Sequence, residues 1–326
     1  MKIVAGLGSI DDYITLAKAG ADEVFCGYVP YEWNKKYGTL FPLNRREVLY
    51  YNVNIGSLED MKILKKMEEK YKVKVNITFN YLYYLEEQYE IIAKLISELI
   101  DIGFTDFIIA DIALILYLEE KNIKCNIHLS GECAEINSLS IDFFNKFSNI
   151  NRYIFHRKNS ILDMKSCILN NKRKMEYEAF ILNEKCHYTG AFCSSFHCDE
   201  LAHLCKVSYK LGKINEEVKD FNEVDKKIKL YYSEDIEECK DYDLVGSTGC
   251  GLCSLKKLKE AGVTHLKVVG RGNSIDFMER DVKELRTALD ILEKISNENY
   301  EEEMKNKLFK NKKCSRNCYY LITSIP

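Results

Sequence analysis

The sequence has no apolar run long enough to cross a membrane: the longest, residues 107–118, is too short and is broken by Asp111. No long apolar stretch stands at the N-terminus either. MKIVAGLGSIDDY reads directly as a strand and a turn, which argues against a secretory leader and for a cytoplasmic protein. Charge of one sign is not in excess, with 47 basic against 50 acidic side chains and a net charge of -3. No global field therefore draws polyanions, and nucleic acid would need a local patch. The hydrolytic constellations are also missing, since no Ser/His/Asp or Cys/His set is evident and there is no H-E-x-x-H zinc helix.

What is abundant is cysteine. Thirteen thiols, an odd number, in a chain without an export signal argue for reduced cysteines, some of them ligands, rather than a disulfide framework. They are densest in CHYTGAFCSSFHCDELAHLC, where Cys186, Cys193, Cys198 and Cys205 stand among His187, His197 and His203. Free cysteine packs in cores as a small apolar residue, but thiols and imidazoles crowded into a polar loop point to metal or cluster ligation. Cys26, Cys125, Cys133 and Cys167 lie on or beside apolar elements and read as core or near-core residues, and Cys239 as incidental. Cys314 and Cys318, in KKCSRNCYY, could add ligands, hold a second cluster or pack the tail.

With 326 residues and 46% hydrophobic composition, the chain can bury one large core. Short β-rich runs alternate with longer helical patterns, the mark of parallel β/α units. The spacing predicts eight strands, at residues 2–5, 23–27, 73–80, 107–110, 124–129, 152–156, 176–182 and 265–269. It also predicts helices near 9–18, 85–102 and 277–295, with Ser9 and Ser57 as N-caps and Gly20 and Gly262 as helix ends. Eight such units make an α/β fold, a (β/α)8 TIM-like barrel over residues 1–300, with an open doubly wound sheet as the alternative. Residues 186–253 form a cysteine-rich insertion after the seventh strand, and residues 301–326 a charged tail.

In such barrels the active site lies at the C-terminal strand ends, so polar residues just past each apolar run become candidates. They are Asn80, Asp111, Ser130, Glu132, Arg157 and Arg271, with Arg45 and Arg46 in the long loop after strand two. Taken singly, each reads as readily as a turn, cap or surface ion pair. Both ends of the insertion return to the same barrel face, so a metal centre there could take thiols from the loop and from Cys250 or Cys253. Irregular spacing with long gaps suits a 4Fe-4S cluster; zinc ranks second because only Cys250 and Cys253 form a tight pair, and a dithiol at a helix N-terminus third.

The motifs together resemble the U32 family of collagenase-like peptidases of unassigned catalytic type. AGADEVFCG is similar to the family's second strand, GFTDFIIADIALI to its fourth, and HLSGECAEINS to its Ser-x-Gln-Ala segment. EAFILNEKCHYTGAFC carries its Glu-x-Phe followed by two cysteines seven apart, LCKVSY its Cys-Arg-x-x-Tyr, and CGLCSLKKLKEAGVTHLKVVGR its closing segment. Departures fall at Leu182-Asn183 for His-Gly, Glu132 for Gln, Leu201 for a cysteine and Val269 for an acidic residue, and the family's later collagenase-associated domain has no counterpart here.

The resemblance implies a cluster on Cys186, Cys193, Cys205 and Cys250, with Cys198 competing for the third place. It also implies kinship with iron-sulfur members that carry out oxygen-independent hydroxylation, with prephenate as oxygen donor and a tRNA base or aromatic precursor as acceptor. In that reading Arg157, Arg271, Arg45 and Asn80 bind a small anionic or aromatic substrate, and Asp111 or Glu132 handles protons. A homologous partner subunit is a further expectation. The alternatives are a peptidase, as the family name implies, and a non-catalytic protein that uses a metal-held loop, with basic residues 305–316, to bind protein or RNA.

Overall fold

A computed structural model of the chain describes residues 1–38, 40–45, 53–133, 136–186, 244–294, 299–309, 314 and 317–320. Nine strands occur in it: β1 (Lys2–Gly6), β2 (Glu23–Tyr28), β3 (Asn54–Ile55), β4 (Lys74–Phe79), β5 (Asp106–Ile109), β6 (Asn126–Leu129), β7 (Ile150–Ile154), β8 (Glu176–Leu182) and β9 (His265–Val268). Every pairing between them is parallel, and β1 pairs with both β2 and β9. That double pairing closes eight strands into a barrel, which rules out the open doubly wound sheet.

The ninth strand was not expected from the sequence. β3 pairs with Gly27 and Tyr28 at the end of β2, whereas β1 pairs with the beginning of β2 and β4 runs along its other edge. It therefore sits above the end of β1 and extends the wall at the C-terminal mouth. Two residues are too few to show a period of two.

Helices alternate with the strands: α1 (Tyr13–Ala19), α2 (Tyr31–Tyr37), α3 (Leu58–Tyr71), α4 (Glu86–Ile102), α5 (Ile112–Glu120), α6 (Ser138–Phe144), α7 (Ile161–Asn170), α8 (Leu255–Ala261), α9 (Ile275–Lys294) and α10 (Tyr300–Leu308). Ser57 accepts from the Asp60 amide at 3.0 Å and so caps α3, while Ser9 caps a short 3-10 turn that leads into α1. Gly20 and Gly262 end α1 and α8 with φ of 105° and 95°, the left-handed conformation that glycine adopts without strain. α9 buries Met278, Val282, Leu285 and Leu289, spaced three and four apart, against the barrel. None of the described helices is long and apolar enough to cross a membrane.

The barrel lumen is ionic at its N-terminal end. Arg152 on β7 is fully buried and reaches Glu23 on β2 at 2.8 Å, Glu178 on β8 at 3.0 Å and Glu176 at 2.7 Å. β7 and β2 are on opposite sides of the closed wall, so the guanidinium spans the interior. Asn76 donates to Glu23 at 2.9 Å, and Lys267 to Glu178 at 2.6 Å. Beside this network His128 lies 3.1 Å from Asp106, which also pairs with Lys74 at 2.7 Å. Each buried charge thus has opposite charges and hydrogen bonds, the condition for burying it at all.

Candidate active site at the barrel mouth

Three arginines open onto the C-terminal mouth. Arg157, in the turn after β7, donates to Glu132 at 2.9 Å, and its guanidinium lies 4.0 Å over the Phe180 ring of β8. Burial alone would lower its pKa, but Glu132, Tyr319 and Glu184 together outweigh this and the net shift is upward. Its buried Nε has no hydrogen-bond partner among the described residues. Arg45 approaches the other oxygen of Glu132 at 3.6 Å. Arg271, just past β9, donates to Thr78 at 3.0 Å and to Asn54 at 3.2 Å.

Two glycines make this geometry possible. A Cβ on Gly27 would stand 1.8 Å from Asn54 Oδ1 and 2.9 Å from Arg271 Nη1, so a side chain there would break the contact that seats Arg271. A Cβ on Gly131 would stand 2.9 Å from the Ile154 carbonyl oxygen. The turn that carries Glu132 is therefore pressed against β7, and the Ser130 hydroxyl tightens it by accepting from the Glu132 amide at 3.2 Å.

Asp111 and Asn80 sit at the same end with different roles. One Asp111 oxygen accepts from the amides of Ala113 at 2.8 Å and Leu114 at 3.4 Å; the other accepts from the Tyr84 amide at 2.8 Å and the Tyr89 hydroxyl at 3.1 Å. Four donors hold the carboxylate as the N-cap of α5 and the tether of the 81–84 loop. Asn80 accepts from the Arg45 amide at 3.1 Å, which anchors the loop that presents Arg45.

β8 leaves the barrel through Asn183 and Glu184, with φ of 69° and 48°. The departure from His-Gly keeps a residue that tolerates the left-handed region, since asparagine is among the few side chains that do. Asn183 donates to buried Asp281 at 2.8 Å. Burial pushes Asp281 above the usual carboxylate range, against the lowering effect of Asn183 and Arg280. The Asn183 amide donates to Gly249 O at 2.8 Å and the Lys185 amide to Thr248 O at 2.9 Å. Cys186 and Cys250 thus lie on paired segments at the mouth. Arg46, Cys193, Cys198, Cys205, Cys239 and the histidines at 187, 197 and 203 lie outside the described residues. Among the other thiols, Cys26 and Cys167 are buried, as core residues should be, and Cys125 and Cys133 half-buried.

The C-terminal segment reaches the site as well. The backbones of Cys250 and Cys318, both free thiols, form a parallel β-bridge: the Cys250 amide donates to Asn317 O at 2.9 Å, and its carbonyl accepts from the Tyr319 amide at 2.8 Å. The Tyr319 hydroxyl donates to Asn183 O, and the Tyr320 hydroxyl to Phe180 O at 2.6 Å. Tyr319 stacks on Phe180 and lies against Arg157. Nothing in a local window of sequence pointed to this contact. Lys267, 3.9 Å over the Phe25 ring, and Thr78 were missed too. Their signal was present as polar residues at alternate positions of otherwise apolar strands.

Residues 8–323 match the family model of peptidase family U32. Among similar solved structures, a U32 peptidase has 10% identity and a TM-score of 0.42, covering 56% of this chain and 69% of that one. Dihydropteroate synthase from Xanthomonas albilineans has 8% identity and a TM-score of 0.39 over 90% and 94%. Tryptophan synthase from M. tuberculosis has 9% identity and a TM-score of 0.34 over 55% and 74%. No curated protein matches the sequence.

Proposed function

The chain belongs to peptidase family U32, and from that premise we propose that it is an iron-sulfur enzyme of oxygen-independent hydroxylation, or a related modification, acting on a small anionic or aromatic substrate or a tRNA base. The observation that carries this reading is the charge of the mouth. Among the described residues, Arg45, Arg157 and Arg271 gather there, with Glu132 between Arg45 and Arg157 and Glu184 at the edge. A cluster of guanidinium groups, one of them over the Phe180 ring, suits a carboxylate or phosphate, which it would bind through charge-assisted pairs.

Arg271, seated by Asn54 and Thr78, would take the substrate's anionic group. Arg157 would orient it from the Phe180 face, and Glu132 would hold the two flanking arginines in register. Cys186 and Cys250, on segments joined by backbone hydrogen bonds, would hold a 4Fe-4S cluster together with Cys193 and Cys205, which lie outside the described residues. Such a cluster would bind substrate or move electrons. Protein groups alone would orient the substrate and keep bulk water from the lumen.

The test is to purify the protein without oxygen and quantify iron, acid-labile sulfide and zinc, then repeat with Cys186, Cys193, Cys205 and Cys250 changed one at a time to Ala. Iron with sulfide that falls in these variants is the expected result. Zinc without sulfide would sink the cluster, and unchanged iron in all four would sink the ligand set. The loaded protein would then be offered prephenate with unmodified tRNA, and the product analysed by mass spectrometry for one added oxygen. Gelatin cleavage by metal-free protein would favour a peptidase instead.

A further inference from the structure

α2 and α4 enclose a groove on the outside of the barrel that shares no residue with the mouth. Its volume is about 500 Å³, the size of a small-molecule site. The walls are apolar, with Pro30, Trp33 and Tyr37 on the side of α2 and Ile91 and Leu95 on the side of α4. The Trp33 and Tyr37 ring centres are 4.6 Å apart, and Trp33 Nε1 donates to Phe41 O at 3.1 Å, which fixes the indole. Phe41 belongs to the segment that runs on to Arg45, so an occupant would sit beside the loop that presents that arginine.

The polar side of the groove is short of an acceptor. The Tyr37 hydroxyl is buried and has no hydrogen-bond partner among the described residues. Packing alone does not explain it, because a phenyl ring would fill the wall without the cost of a buried hydroxyl left unmatched. The neighbouring charge is the Lys36 ammonium, 4.8 Å from the centre of the Tyr37 ring, and an ammonium can only donate. Lys35 and Glu32 also line the groove, both exposed, and neither Lys35 nor Lys36 forms a salt bridge among the described residues. A hydroxyl proton without an acceptor beside an unpaired cation calls for an anionic head group, which would accept from both. Two tilted rings and a proline call for a flat apolar body.

We infer that this groove is a second ligand site, separate from the mouth, that takes a small aromatic carboxylate, with its ring against Trp33 and its carboxylate at Tyr37 and Lys36. Trp33 is the single tryptophan of the chain, so its fluorescence reports on the groove. In the full chain, phenylacetate should change that fluorescence saturably, and phenethylamine, a similar ring with the opposite charge, should not. Tyr37→Phe and Lys36→Gln should each raise the phenylacetate midpoint by roughly tenfold. Arg157→Gln, at the mouth, should leave it unchanged, so the result stands apart from the function proposed above. No saturable change, an equal response to the amine, or a midpoint indifferent to both groove variants would overturn the inference. If Tyr37→Phe lowers the melting temperature, Lys36→Gln, at an exposed position, decides.

Discussion

Arg152 commits its whole guanidinium to the lumen: Nε and both terminal nitrogens donate to Glu23, Glu176 and Glu178, and Nη2 lies 3.0 Å from His265 Nε2. Removing it would leave Glu23 with His265 and Glu178 with Lys267 as their remaining basic partners, and the buried carboxylates undercompensated. Arg152→Met should therefore cost about 3–5 kcal/mol, read as a lower urea midpoint. At the mouth the expected losses are of function. Arg157→Gln keeps hydrogen-bonding capacity but removes the charge, and should weaken binding of a small dicarboxylate by roughly one to two orders of magnitude in calorimetric titration; because it also strips Glu132 of its nearest cation, the melting temperature should fall as well. Gly27→Ala should abolish the same binding by displacing Asn54 and Arg271, although it adds no charge and removes none.

At the scale of elements, Tyr320 ties the C-terminal segment to β8 through one hydrogen bond to Phe180 O. Tyr320→Phe should cost about 1 kcal/mol and speed proteolytic cleavage near residues 310–320, detected by mass spectrometry of the fragments. Most elements were legible beforehand. The eight barrel strands could be read from apolar runs, and observed ends differ from the expected ones by at most two residues, as at β7, which begins at Ile150 and not at 152. The ionic lumen was present as alternation, for example Arg152 within INRYI and Lys267 within HLKV, but a charge in a strand does not name its partner. The pairing of Cys250 with Cys318 was illegible for the same reason, since non-local contacts leave no local period. Asp111 was read as a candidate acid or base from its place after a strand, a place that helix caps share.

For the whole molecule, acid should be the weak side. Burial alone would raise Glu178, but Lys267 and Arg152 hold it down to about 2; Glu23 and Asp106 are likewise held well below the carboxylate range by their basic neighbours, against burial. Carboxylates in the unfolded chain titrate near about 4.3, so they take up protons before the folded ones do. Stability present above that value is lost as pH falls from there toward about 2. His128 adds to the slope, because burial first and Arg152 second lower its pKa. The unfolded chain again binds the proton first, below about 6.5. Urea midpoints should thus fall steadily from about pH 7 to pH 3, and a flat profile would contradict the lumen network. The same network has a consequence for traffic. With Arg152 and its carboxylates plugging the far end, the barrel is a cup and not a conduit. A substrate that reacts at the mouth, as proposed above, would have to enter and leave by that one end, and two reactants sharing it would have to queue.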